Sequence, residues 1–346
     1  MNTLLLAGGL GTRLRPLTEQ MPKPMALVAN RPWLEHLVIH LKSQGISDFV
    51  FAVKHYHEQI RQHFGDGSRF GVSIRYALEQ SLLGTAGAIR NAESLLDERF
   101  VVVNADIVHE VKLEPLLEFH RQHGGLVTIG LTEVEDPTQF GVVEQAENGR
   151  ILRFVEKPRL EEAPSRRVNA GIYVMERESL AYIPKDQPVS IERETFPLLI
   201  RETGSVYGQV VSGYWKDMGT KDRYRTIHWD ILNREFALPM PGREAGQGIW
   251  VGEECEIATG ALLVPPVLIG NRVAIGERSI IGPFAVIGDD CRIGRNVRCS
   301  ETIMWNRCKI GDAMHLNNCI FGFGLELGPR QILHEAVVNR MEAMQA

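Results

Sequence analysis

Two different spacings of apolar residues divide this chain. Up to about residue 234, short apolar runs of strand length alternate with stretches whose apolar residues recur every three or four positions. That alternation predicts βα units around a mixed, mostly parallel Rossmann-like sheet. Residues 1–7 are the first strand. Pro32 opens a helix carrying Leu34, Leu37, Val38 and Leu41 on one face, and Gly45 ends it. Further strands are expected at 49–53, 72–76, 100–103, 126–131, 169–175 and 206–211. A hairpin pairs 141–144 with 151–155, and helices cover 58–64, 113–123 and 222–234.

Beyond residue 248 the period becomes six. Val251, Ile257, Leu263, Ile269, Ile275, Ile281, Ile287 and Ile293 recur at that spacing, and a small or β-branched residue stands four positions after each, from Cys255 to Val297. Neither a helix nor a simple strand has this period. A left-handed parallel β-helix does, with each hexapeptide forming one side of a three-sided coil. The phase slips between Cys299 and Ile310 and then resumes, so about four coils are expected. The resulting division is an α/β domain over 1–235, a Pro- and Gly-bearing linker over 236–248, the β-helix over 249–322 and a tail over 323–346. Residues 329–346 of that tail are expected to close the stack as an amphipathic helix.

Composition narrows the function class. The net charge of −5 gives no electrostatic footprint for nucleic acid or an anionic membrane. The N-terminus lacks a basic segment and a long apolar run, so a cytoplasmic protein is expected. The five cysteines (Cys255, Cys291, Cys299, Cys308, Cys319) show no C-x-x-C pairing and read as small core residues.

The chemistry concentrates in Leu6–Pro24. Gly8, Gly9 and Gly11 let backbone N–H groups approach phosphate oxygens, and Arg13 and Lys23 bring positive charge. A dinucleotide fingerprint needs a third glycine, and Thr12, Arg13 and Leu14 follow Gly11 instead. A second glycine-bearing loop, residues 79–87, opens a helix. Asn104-Ala105-Asp106 directly follows the apolar strand 100–103, which places Asp106 at the carboxyl edge of the sheet, where ligands of such folds bind.

The Gly-x-Gly-Thr-Arg stretch with Pro22-Lys23 resembles the signature of sugar-1-phosphate nucleotidyltransferases. Leu83-Gly84-Thr85-Ala86-Gly87, Asn104-Ala105-Asp106, Phe140-Gly141-Val142-Val143-Glu144, Glu156-Lys157-Pro158, Asn169-Ala170-Gly171 and Trp215 to Thr220 resemble the same family in order. The resemblance implies that a sugar 1-phosphate attacks the α-phosphorus of a nucleoside triphosphate and pyrophosphate leaves. It implies catalytic roles for Arg13, Lys23, Asp106 and Lys157. The nucleotide would lie against Ala7, Gly8, Gly9, Gly11, Thr12, Arg13, Lys23, Gln80, Gly84 and Thr85. The sugar phosphate would meet Gly141, Glu156, Lys157, Asn169 and Gly171, and Asp106 and Asp217 would hold Mg2+.

Pro16-Leu17-Thr18, Val28-Ala29-Asn30 and Leu83–Gly87 look most like guanylyltransferases that use GTP and mannose 1-phosphate or a related manno-sugar. The alternatives are a thymidylyl- or uridylyltransferase acting on glucose 1-phosphate and, in another class, a non-catalytic paralogue that binds a nucleotide sugar. A homo-oligomer is expected. One departure stands out. The family usually has Gly before the metal-binding Asp, and the Ala105 methyl is expected to crowd substrate. His36, His40, His55 and His57 read as surface or packing residues, and His315 alone gives thin support for a second, acyltransferase-like site.

Overall fold

A computed structural model describes residues 1–9 and 11–339. The chain packs as two compact units. Among the described residues, the first comprises 1–9, 22–24 and 34–216, and the second comprises 11–21, 25–33 and 217–339.

The first unit is built on a nine-stranded sheet. Thr3–Leu6 runs parallel to Asp48–Val53 on one side and Arg99–Asn104 on the other, and Ser73–Leu78 continues the parallel half. These central strands are covered on both faces, which explains their unbroken apolar runs. Arg167–Glu176 lies antiparallel to Arg99–Asn104 and carries Val127–Glu133 and the hairpin Gly141–Gln145/Ile151–Glu156 beyond it. Helix α1 (Trp33–Ser43) buries Leu34, Leu37, Val38 and Leu41 completely, as its spacing requires. The other helices are α2 (His57–Phe64), α3 (Gly84–Asn91), α4 (Leu113–His123) and α5 (Phe196–Thr203). Helix α5 has no counterpart in the sequence reading. It follows a wide turn, Ile191–Thr195, and carries a proline in its first turn.

The second unit contains the β-helix and helix α6 (Lys221–Leu232). Three parallel sheets form its sides. One runs Ile249–Val251, Val267–Ile269, Ala285–Ile287, Ile303–Met304, Ile320–Phe321, Val337–Val338; the others begin at Glu256–Ile257 and Leu262–Leu263. Each of these two has five strands. The stack therefore has five coils among the described residues, one more than the repeat count suggests. Paired positions are eighteen residues apart from Ile269 to Ile287 and seventeen apart from Ile287 to Met304 and Met304 to Phe321. One corner thus loses a residue near 300–302 and keeps the shorter form afterwards, which is the physical origin of the slip in phase.

Two expectations change here. Within 236–248, Arg243–Gly246 pairs antiparallel with Ile249–Val251, so this part of the expected linker is a strand on the first coil. Residues 329–339 do not begin a helix. Ile332–His334 and Val337–Val338 extend the coils, because their backbone groups find partners at His315–Asn317 and Ile320–Phe321. The rest of that expected helix, 340–346, lies outside the described residues. The cysteine thiols are free, and all but Cys255 are buried. Among the described residues, no helix is long and apolar enough to cross a membrane.

Candidate active site

In the first unit, the strand Thr3–Leu6 delivers Ala7, whose N–H donates to the Ala52 carbonyl at 2.9 Å. Gly8 follows, and a Cβ there would stand 2.7 Å from Oε1 of Glu79, so this position tolerates only glycine without displacing that carboxylate. Gly9 faces open space. Lys23 opens a short helical turn, and its Nζ donates to Oδ2 of Asp106 at 2.7 Å. Its side chain is only 6% exposed, whereas that of Asp106 is 41% exposed. A buried ammonium is thus held at the carboxyl edge of the sheet with its partner open to ligand.

Ala105 is fully buried, and its N–H donates to the Leu6 carbonyl at 3.2 Å. Its methyl is packed inside the protein, so the crowding expected at this position has no accessible surface on which to act.

The residues expected to meet the sugar phosphate fall into two groups. Gly141 pairs with Glu156 across the hairpin, and a Cβ on Gly141 would collide with the Phe154 ring and crowd Oε2 of Glu156. Lys157 has φ +50°, and its Nζ lies 3.3 Å from Oε1 of Glu156. Asn169 accepts the Gly171 N–H at 2.8 Å and donates to the Tyr173 hydroxyl at 2.9 Å. Gly171 sits at φ +72°, where a side chain would also run into Asn104 Nδ2 and Ile107, so only glycine fits. The pairing register slips between Asn169 and Tyr173, a bulge of the kind that re-aims side chains at active sites. Burial pushes the Tyr173 hydroxyl well above its ordinary pKa, keeping it neutral.

The second glycine loop is anchored rather than free. Gly84 (φ +68°) packs against the Val189 carbonyl. Thr85 donates to Glu192 at 3.0 Å and accepts the Ile191 N–H at 2.8 Å. Its hydroxyl therefore shapes the loop, while Gln80 is exposed. Two carboxylates escaped the sequence reading. Glu79 is buried beside Gly8 and accepts the Leu83 N–H at 3.3 Å; desolvation raises its pKa, opposed by that hydrogen bond and by Lys54. Burial likewise raises Glu192, against the hydrogen bonds from Thr85 and Ser190. Glu79 adjoins a motif residue and could have been found there, whereas nothing in the pattern of 187–195 marks Glu192.

In the second unit, Gly11 (φ +60°) caps the short turn Thr12–Leu14, and Thr18 Oγ1 donates to the Gly11 carbonyl at 2.7 Å. The Arg13 side chain is 56% exposed, with its guanidinium 3.7 Å from Oδ2 of Asp217. Arg223 donates to the same oxygen at 2.8 Å, and the Asp217 side chain is only 13% exposed. Gly219 completes this arrangement, since a Cβ there would lie 2.7 Å from Arg13 and 2.8 Å from both Asp217 oxygens. Asp106 in the first unit and Asp217 in the second each offer hard oxygen donors, the chemistry a divalent cation of the Mg2+ class takes. No group of three or more metal-ligating side chains occurs among the described residues.

Residues 2–234 match the family model described as Nucleotidyl transferase, and residues 263–341 match the GMPPB C-terminal domain. A mannose-1-phosphate guanylyltransferase of Mycobacterium tuberculosis is 36% identical over 273 residues, covering 78% of this chain and 75% of the relative. A UTP–glucose-1-phosphate uridylyltransferase of Synechocystis is 34% identical, covering 73% of this chain and 69% of the relative. The crystal structure of HddC from Yersinia pseudotuberculosis complexed with GMP-PN superposes with a TM-score of 0.58 at 26% identity, over 66% of this chain and 99% of that one. With the family model spanning two thirds of its length, this chain belongs to the nucleotidyl transferase family.

Proposed function

We propose that the protein transfers GMP from GTP to mannose 1-phosphate, forming GDP-mannose and releasing pyrophosphate. The observation that carries this reading is the buried Lys23 ammonium held at 2.7 Å on the exposed Asp106 carboxylate at the sheet edge. Relatives named mannose-1-phosphate guanylyltransferase support the choice of substrates.

Both reactants are anions, so the site has to supply positive charge and alignment more than proton transfer. Arg13 and Lys23 neutralise the triphosphate and the charge that builds on the α-phosphoryl oxygens. Backbone N–H groups of Gly8, Gly9, Gly11 and Thr12 cradle the phosphates. Glu156 accepts hydrogen bonds from sugar hydroxyls, Lys157 holds the sugar phosphate, and Gly141, Asn169 and Gly171 leave room for the ring. Asp106 and Asp217 would hold Mg2+, which when bound shields phosphate charge and orients the leaving pyrophosphate. Gly84 and Thr85 shape the base end of the pocket, with Gln80 at its rim. The carboxylate form of Glu79 would suit guanine, whose N1–H and N2–H donors lie side by side. Uracil and thymine present a single N–H there. The catalytic region is proposed as 1–235 and the protein as a cytoplasmic homo-oligomer.

The test is pyrophosphate release over a matrix of nucleoside triphosphates and sugar 1-phosphates with Mg2+. GTP with mannose 1-phosphate is expected to turn over fastest. A preference for UTP or dTTP with glucose 1-phosphate would instead support the reading drawn from the Synechocystis relative, and nucleotide-sugar binding without any turnover would mark a non-catalytic paralogue.

A further inference from the structure

The glycine after each inward aliphatic residue on one β-helix side is a packing requirement. A Cβ on Gly270 would lie 2.8 Å from the Asp289 nitrogen, and one on Gly288 would lie 2.6 Å from the Asn306 nitrogen, because the next coil passes directly above. In the same column, Trp305 follows Met304 and Asn339 follows Val338. These two departures from the repeat both reach N-terminal segments of their own unit. Trp305, fully buried, donates its indole N–H to the Tyr224 hydroxyl at 2.9 Å, and Tyr224 donates in turn to the Leu27 carbonyl. Asn339 Nδ2 donates to the Pro16 carbonyl at 3.2 Å. From the other side, Asn30 donates to the Ile287 carbonyl at 2.8 Å.

Pro16 lies three residues beyond Arg13 in a tightly closed segment. The Arg15 N–H bonds to Thr12, the Leu17 N–H to Leu14, and Thr18 to Gly11, while Leu14 and Leu17 are buried. Fixing the Pro16 carbonyl therefore fixes the turn that aims Arg13.

We propose that Asn339 is a positioning residue for nucleotide binding, holding the Gly11–Thr18 segment in its phosphate-gripping shape from the β-helix. The β-helix is then part of the nucleotide site and more than a scaffold for assembly. The inference rests on the reading that Arg13 holds the triphosphate.

The test uses the full-length chain with Asn339→Asp, which keeps the shape and loses the donor, and Asn339→Gln, which keeps an amide N–H. Hydrogen exchange of the peptide spanning 11–21 reads the segment itself, and KM values for GTP and mannose 1-phosphate read its use. Losing one hydrogen bond is expected to speed exchange in that peptide about fivefold and raise the KM for GTP by a similar factor. The KM for mannose 1-phosphate should stay within about twofold, and Asn339→Gln should recover part of the loss. Unchanged exchange at 11–21 in Asn339→Asp would overturn the proposal, as would equal rises in both KM values. Should the wild type turn over no pair, the functional reading fails by itself, and the exchange result still decides whether the β-helix holds the segment.

Discussion

Asp106 is paired with the buried Lys23 side chain, and that arrangement limits what can replace it. Asp106→Asn preserves the shape, but an amide is a poor ligand for Mg2+ and exchanges a charged hydrogen-bond partner for a neutral one. We expect kcat to fall at least about 100-fold and stability to fall by about 1–3 kcal/mol, read by pyrophosphate release and urea melts. Near-normal turnover would remove Asp106 from the metal-binding role. Gly219→Ala should also damage activity, because its methyl would have to displace the Arg13 guanidinium or the Asp217 carboxylate; a steady-state assay that finds wild-type KM for GTP would contradict this. Glu192 predicts a pH effect. Its folded pKa is raised, so ionisation opposes folding, and stability is lost as pH rises from the ordinary carboxylate range through the raised value. Glu192→Gln should therefore raise the melting temperature at pH 8 more than at pH 4. At this scale the sequence was most legible where the backbone restricts the residue type, as with Gly171. Glu79 and Glu192 were hidden because a buried carboxylate is recognised by its surroundings, and a single sequence shows only the residue.

Elements were legible where their period was long and clean. α4 spans Leu113–His123, as the spacing alone indicates, and the hexapeptide repeat revealed the β-helix. The segment leading to α5 was missed because the wide turn Ile191–Thr195 offsets the helical period just before Pro197. The coil count was low because repeat matching stops where the corner shortens, although the backbone pairing continues. Packing of α1 against the short strand Ile107–His109 adds a prediction. His40 bonds to the Val111 carbonyl at 3.0 Å and its ring stands edge-on to that of His109. Burial, with the neighbouring His40, holds His109 down to about 3. A depressed histidine pKa gives stability that is present above about 6.5 and is lost as pH falls toward 3. Unfolding free energy should thus drop by up to about 1.4 kcal/mol per pH unit over that window, and His109→Gln should flatten the slope in denaturant titrations.

For the whole molecule, the division into two compact units cuts across the sequence order. The N-terminal segment 11–21 packs with the chain after 217, which no local period could reveal because the contacts span some three hundred residues. Ending the chain after Gly248 removes Ile287, Trp305 and Asn339 together. Such a truncation is expected to bind GTP at least about tenfold more weakly by calorimetry, since several hydrogen bonds are lost at once.

The constant seventeen-residue coil beyond Ile287 gives the repeat a further property, that of a ruler. Trp305 and Asn339 stand two coils apart, and neighbouring strands are spaced by about 4.8 Å. The separation between the two donors is therefore set by an integer. Inserting or excising one complete coil between them would preserve every strand pairing yet carry Asn339 about 4.8 Å along the axis, beyond reach of Pro16. Length in this repeat is thus counted in steps, and a change of one step is a change in the proposed nucleotide site.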